Sequence, residues 1–158
     1  MTGTIEDAKI AIAASSKDSA VYIGCDSIRY KKAGRWFAKY SVVVVLHIDS
    51  SRGCKVFSRT EVIPDYGNLK MRLMTEVGYA VETATEILDV VGDRPFSIHL
   101  DINTDPKHKS SVAVKEAIGY VRGTMGFDPI LKPNSQMASH CADHVVRSKL
   151  IYAEGPHG

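Results

Sequence analysis

A single run of residues, WFAKYSVVVVLHID at 36–49, restricts the fold of this chain more than any other feature. Four consecutive valines and several aromatic residues give it side chains that pack well on a pleated surface and lose freedom in a helix. A run of this length and character is expected to be a central strand. The fold is therefore expected to be built around a β-sheet.

Two further strands are predicted beside this run, at about residues 20–26, within AVYIGCD, and at 54–63, CKVFSRTEVI. Turn-forming residues at 33–34 and 50–53 separate the three runs. Pro64 ends the third, because proline donates no hydrogen bond to a sheet. Three successive strands joined by tight turns predict an antiparallel meander.

After Pro64 the spacing of the apolar residues changes from that of a strand to that of a helix. The recurring apolar positions predict one long helix and are Leu69, Leu73, Val77, Ala80, Val81, Ala84, Ile87 and Leu88.

The remaining elements alternate between strands and helices. Thr4 is expected to begin a short helix over IEDAKIAIAA, whose early acids suit the helix dipole. The later elements are a fourth strand in PFSIHLDIN at 95–103, a helix at about 111–124, a short fifth strand in DPILKPN and a last helix in SQMASHCADHVVRSKLI.

This order of elements predicts an α/β fold. An antiparallel meander followed by parallel βαβ strands makes a five-stranded mixed sheet, and right-handed crossovers place the helices on its faces. Because the sequence contains neither a repeat nor a linker, residues 1–158 are expected to form one domain. Residues 1–19 would be a helical N-terminal extension and residues 150–158 a flexible tail.

Composition narrows the class of protein. With 44% apolar and 24% charged residues the chain has an ordinary globular profile, and no stretch approaches the ~18 apolar residues of a membrane span. The N-terminal segment lacks the basic start of a signal peptide. Three widely spaced cysteines, Cys25, Cys54 and Cys141, favour reduced thiols. We therefore expect a cytoplasmic protein without a membrane partner.

Two predicted strands carry an acid at their ends, Asp26 on the first and Asp101 on the fourth. If these strands are parallel neighbours, their carboxyl ends meet, at the place where α/β sheets bind ligands. Paired carboxylates repel each other unless a cation lies between them. Taken singly, each acid is better explained as a turn or cap residue. Their coincidence at neighbouring strand ends favours a metal site.

Helical phasing adds two acids. Glu76 falls at the edge of the apolar stripe of the long helix, whereas Glu82 and Glu86 project away from it. Asp143 borders the apolar stripe of the last helix, although an ion pair with Arg147 is the better explanation when it is taken alone.

Histidines in the last helix invite two interpretations. His140 and His144 have the i, i+4 spacing of a zinc site, but no second Cys/His pair exists elsewhere in the sequence, so a structural zinc ion is not expected. Because His140 lies about one turn before Asp143, a position lining the acid site suits it better.

Three short segments carry a family resemblance: IGCDS at 23–27, HLDIN at 99–103 and KPNSQMASHCADH at 132–144. Together with the order of elements, they resemble the ribonuclease H-like superfamily and, more narrowly, its YkuK-like family, over about residues 20–149. The third segment is the most specific. Superfamily members include RNA–DNA hybrid nucleases, junction resolvases, exonucleases and transposases, so the fold alone does not choose a substrate.

The resemblance implies a set of four metal-binding acids. It gives Asp26 the place of the first-strand acid, Glu76 that of the helix glutamate, Asp101 that of the fourth-strand acid and Asp143 that of the final-helix acid. Such a set would hold two Mg²⁺ or Mn²⁺ ions about 4 Å apart for phosphodiester hydrolysis. His140 would shuttle a proton or guide product release.

The segment RYKKAGRWFAKY suggests a surface for nucleic acid, because cations neutralise phosphates and aromatic rings stack on exposed bases. Its candidate binding residues are Arg29, Lys31, Lys32, Arg35 and Trp36, and Lys107 and Lys109 form a second basic patch after Asp101. Taken on its own, the segment is better explained as a solvated hairpin whose lysines protect a sheet edge. Two other functions remain open: a non-catalytic nucleic-acid-binding module, and a structural protein in which the acids serve as caps and ion pairs.

Overall fold

A computed structural model describes residues 3–132 of the chain. Within this range the predicted order of helices and strands is confirmed. The elements are α1 (Ile5–Ala14), β1 (Ala20–Lys32), β2 (Arg35–His47), β3 (Cys54–Pro64), α2 (Leu69–Val91), β4 (Phe96–Asn103), α3 (Val114–Met125) and β5 (Ile130–Lys132), with 3₁₀ turns at Ile48–Ser50 and Lys109–Ala113. The helix expected at 135–151 lies outside the described residues.

The five strands form one mixed sheet in the order β3-β2-β1-β4-β5. Antiparallel pairing joins β1 to β2 and β2 to β3, whereas β4 is parallel to both β1 and β5. The predicted meander and parallel crossovers are therefore confirmed. The valine-rich strand β2 is paired on both sides, which explains why it tolerates so few charges.

Strand β1 is longer than the sequence suggested. It was expected to end at Asp26, but it continues to Lys32 and pairs with β2 throughout. Ala33 and Gly34 both have positive φ, 53° and 79°, as a two-residue hairpin turn with the twist of the strands requires. Asp26 therefore lies in the middle of a strand. The outer part of this hairpin, residues 27–40, is called the hairpin arm below.

The helices and one face of the sheet share a single hydrophobic core. Alternate residues of β1, such as Val21 and Ile23, meet the apolar stripe of α2. Leu88 was predicted to belong to that stripe but is half exposed, because one residue advances about 100° around a helix and Ile87 takes the inward position.

Helix α1 begins at the predicted position with a capping box. The backbone N–H of Asp7 donates to the Thr4 hydroxyl at 3.1 Å, and the backbone N–H of Thr4 donates to the Asp7 carboxylate at 3.0 Å. In the described part of the chain, no helix combines the length and the apolar character needed to cross a membrane.

Two isoleucines of β1 provide a matched test of this core. Ile23 is fully buried, whereas Ile28 is 67% exposed on the same strand. Replacing Ile23 with Ala should lower the free energy of unfolding by about 2–5 kcal/mol, because it leaves a cavity. Ile28→Ala should change it by less than about 0.5 kcal/mol. Urea denaturation measures the free energy of unfolding of both variants. Equal losses would show that Ile23 does not face the core while Ile28 faces solvent.

Candidate functional site

The candidate site lies where β1 and β4 stop pairing. Their parallel ladder joins residues 21–24 to residues 96–99 and ends at the pair Gly24 and His99. Asp26 follows Gly24 by two residues, and Asp101 follows His99 by two, so the register carries both acids to equivalent positions. Alternate residues of a strand share a face. Both acids therefore belong to one face of the sheet, and both are exposed.

Glu76 reaches the same region from helix α2. Although it is charged in most environments, it is only 6% exposed. The hydroxyl of Ser27 donates a hydrogen bond of 2.6 Å to Glu76 Oε2. The helical spacing predicted that Glu76 leans toward the sheet, and its burial agrees with that prediction. Glu82 and Glu86 are exposed, as expected.

Ser27 is a site residue that sequence reasoning missed. Its backbone N–H donates to Asp26 Oδ1 at 2.8 Å, while its hydroxyl binds Glu76. One residue thus contacts two of the candidate acids. The Asp-Ser pair resembles ordinary turn chemistry in the sequence, and only the continuation of β1 past Asp26 places Ser27 on the face toward α2.

Burial raises the pKa of Glu76 from an ordinary 4.5 to about 8. The hydrogen bond from Ser27 lowers this pKa, but the negative charges of Asp26 and Asp101 raise it further. The three carboxyl groups therefore interact electrostatically, and Glu76 holds its proton at neutral pH.

Asp101 has a cationic partner. The ammonium group of Lys132, at the end of β5, forms an ion pair with Asp101 Oδ1, and each of the two side chains is 45% exposed. Within residues 3–132, no three His, Cys, Asp or Glu side chains are close enough together to hold a metal ion. The carboxylate oxygens of Asp26, Glu76 and Asp101 still have the hard-ligand chemistry that Mg²⁺ and Mn²⁺ prefer.

Two of the predicted site residues, Asp143 and His140, lie outside the described residues. The described structure therefore brings three of the four acids to one region: Asp26 and Asp101 on neighbouring strands, and Glu76 on the helix that covers them from the other side.

The hairpin arm carries the basic and aromatic residues singled out in the sequence. Arg29 is already engaged, because its Nε donates to Asp65 at 2.6 Å and its guanidinium lies 4.5 Å from the centre of the Trp36 ring. The Asp65 side chain is nearly buried, so this ion pair holds the arm against the segment before α2. The charge of Arg29 is balanced within the protein.

The other four cations of the arm are exposed: Lys31, Lys32 and Arg35 near its tip, and Lys39 further along β2. Tyr30 and Phe37 stack across the two strands with their ring centroids 5.8 Å apart. Such cross-strand aromatic pairs stabilise a hairpin. The exposed positive charges of the arm thus lie on a hairpin that this aromatic pair stabilises.

The second basic patch follows β4. Lys107 and Lys109 are both exposed, in a loop held by local hydrogen bonds. The backbone N–H of Asp105 donates to the Asn103 side chain at 2.8 Å, and that of Lys107 donates to Asp105 at 3.0 Å. These hydrogen bonds order the loop that joins Asp101 to the two lysines.

Cys25, the described cysteine next to the candidate acids, does not supply a nucleophile at this site. Cys25 precedes Asp26 and is a buried free thiol, and burial followed by the charges of Glu76 and Asp26 raises its pKa well above its ordinary value. A thiol in this state is inert. Cys54 is disulfide-bonded, so the expectation of reduced thiols is correct for Cys25 and wrong for Cys54.

Comparison with known proteins identifies one family. A family model described as ribonuclease H-like matches residues 4–147, nearly the whole chain. Neither a curated protein nor a solved structure matches the chain significantly.

The raised pKa of Glu76 has a measurable consequence for stability. Between the ordinary value of 4.5 and about 8, the folded state keeps a proton that the unfolded state has released, so stability falls as pH rises through this window. Glu76→Gln removes this dependence. In buffer with EDTA, the variant should gain on the parent between pH 5 and pH 8 by an amount on the order of 2–4 kcal/mol.

Urea denaturation at several pH values measures this difference, and Glu82→Gln on the exposed side of α2 is the matched control. A difference between Glu76→Gln and the parent that stays constant with pH would show that Glu76 titrates normally.

Proposed function

Because the chain belongs to the ribonuclease H-like family, we propose that it is a divalent-metal-dependent nuclease, and that it is YkuK-like within this family. One observation supports the proposal: Asp26, Asp101 and Glu76 lie near the point where β1 and β4 separate, and the charges of both aspartates act on Glu76. The family match supports a role on nucleic acid. The metal, the mechanism and the substrate are our inference from the acids.

In this proposal Asp26, Glu76 and Asp101, together with Asp143, hold two Mg²⁺ or Mn²⁺ ions. When bound, the ions supply an activated water and stabilise the leaving oxygen of a phosphodiester. Asp26 and Asp101 lie on an exposed face that a phosphate can reach. Glu76 is oriented by Ser27, and its carboxyl must lose its proton to act as a ligand.

His140 completes the proposal as a group that moves a proton or aids product release. The buried Cys25 has no role in the chemistry, because the water is activated without a thiolate. The proposed mechanism requires no covalent intermediate on the protein.

The hairpin arm and the loop after β4 are proposed to bind the nucleic acid. Their exposed cations, Lys31, Lys32, Arg35, Lys107 and Lys109, are available for phosphates. Trp36 is 43% exposed and already stacked on Arg29. The Trp36 ring and the Arg29 guanidinium form a pair on which an unpaired base can stack. Asp65 balances the charge of Arg29.

The ion pair between Lys132 and Asp101 favours one alternative, a non-catalytic nucleic-acid-binding module on the same fold. In such a module Asp101 would need no metal, because the lysine already neutralises it. The two functions differ in whether divalent ions bind and whether phosphodiesters are cleaved.

Amide variants of the acids test the nuclease directly. Asp26→Asn, Glu76→Gln and Asp101→Asn should each reduce Mg²⁺-dependent cleavage at least about a hundredfold, because each removes a ligand from a shared site. A second change should cost much less than the first, as for residues that act as a unit. Cleavage is measured on labelled single-stranded, duplex, hybrid and branched nucleic acids.

Glu82→Gln is the control for these variants, since Glu82 lies on the same helix and is exposed. It should cleave like the parent. An active parent whose activity survives all three acid substitutions would refute the metal mechanism. A parent that binds nucleic acid, does not bind Mn²⁺ and cleaves nothing would establish the binding module instead.

Charge removal tests the hairpin arm. The triple variant Lys31→Ala, Lys32→Ala and Arg35→Ala should weaken binding to nucleic acid and reduce the slope of affinity against salt, because fewer counterions are released. Melting temperature should hardly change, because these side chains are exposed.

A second triple variant removes the same total charge away from the arm, at the exposed Lys17, Lys55 and Lys115. It should bind nearly like the parent. Equal weakening by the two triple variants would mean that only net charge matters and that the arm has no special role.

A further inference from the structure

Lys132 ends β5 at a position next to the candidate metal ligands. Strand β5 is parallel to β4, and Lys132 is paired with Asn103. Because alternate residues of a strand share a face, Asn103 and Asp101 lie on the same face of β4. The Lys132 side chain reaches back along this face and forms its ion pair with Asp101.

We propose that Lys132 is a positioning residue that holds Asp101 while no divalent ion is bound, and that its ammonium group competes with the ion for this carboxylate. The inference rests on the proposed function of the site. It assigns a role to Lys132 that the nuclease proposal does not use.

The physical basis is the crowding of like charges. Asp26 and Asp101 each lie two residues beyond the last pair of the β1–β4 ladder, so their two carboxylates repel each other when no cation is present. An ammonium at Asp101 offsets part of this repulsion. A lysine is suited to the task because its charge is compact and its stem is flexible. Since the Lys132 side chain is 45% exposed, it has room to leave when an ion arrives.

The same ion pair engages a carboxylate oxygen of Asp101 that a metal ion would use. Within the described residues no three potential ligands form a metal-holding group, and Asp101 is turned to Lys132. If Lys132 must release Asp101 before an ion can bind, metal affinity includes the cost of breaking this pair. Removing the ammonium should then tighten metal binding.

A purely structural role for Lys132 makes the opposite prediction. If the pair only ties β5 to β4, its loss loosens the edge of the sheet that carries Asp101. Metal affinity would then stay the same or fall. The direction of the change in affinity therefore distinguishes the two roles.

The test is a titration of the full chain with Mn²⁺, in which free Mn²⁺ is measured by electron paramagnetic resonance. Lys132→Met, and Lys132→Gln as a second neutral variant, should bind Mn²⁺ about two- to fivefold more tightly than the parent, the range expected for a half-exposed ion pair. Lys132→Arg should restore the parent affinity. The gain should shrink at about 0.5 M salt, where exposed charges are screened.

Two controls localise the effect. Lys17→Met removes an exposed lysine in the loop after α1, which has no role in the proposed site, and should leave the affinity for Mn²⁺ unchanged. In a protein that already carries Asp101→Asn, Lys132→Met should have no further effect, because the competition needs the carboxylate.

The outcomes separate this inference from the proposed function. If the parent binds Mn²⁺, Asp26→Asn abolishes that binding, and both neutral Lys132 variants bind no more tightly than the parent, the competition is refuted and the metal site stands. If the parent binds no Mn²⁺, the proposed function fails and the inference fails with it.

Discussion

The end of the β1–β4 ladder is the constraint on which the candidate site depends. Pairing up to Gly24 and His99 fixes the register of the two strands, and beyond this point β1 pairs, among the described strands, with β2 alone. Each of the two acids lies two residues beyond this last pair, and both are exposed. Helix α2 then adds Glu76 from the opposite face, where Ser27 holds it. A shift of one residue in the register would send one acid to the other face.

Local patterns were enough to predict the sheet and the phase of α2, because apolar spacing reports directly on burial. They placed the valine-rich strand inside the sheet and Glu76 toward it. They failed at the outer half of β1, which is polar and depends on long-range pairing with β2 and on the Arg29–Asp65 contact. The roles of Ser27 and Lys132 were missed for the same reason: both depend on neighbours far away in the sequence.

The hairpin arm shows how one ion pair can change the interpretation of a basic segment. In the sequence, Arg29 is equivalent to the neighbouring lysines as a phosphate ligand. In the structure it is committed to Asp65 and Trp36, and it anchors the arm near the point where β3 gives way to α2. In the proposed function the exposed cations near the tip contact nucleic acid. An arm that is already anchored would lose less freedom on binding, which would favour affinity.

The protonation of Glu76 bears on the choice between an enzyme and a binding module. A buried carboxyl beside two other acids is destabilising once it ionises, and a glutamine would accept the Ser27 hydrogen bond without that penalty. A fold that merely carried nucleic acid would gain nothing from the acid. In a metal site Glu76 would serve as a ligand, because the positive charge of a divalent ion stabilises its ionised carboxylate. In the proposed nuclease, a bound divalent ion would remove the cost that Glu76 imposes on the metal-free fold.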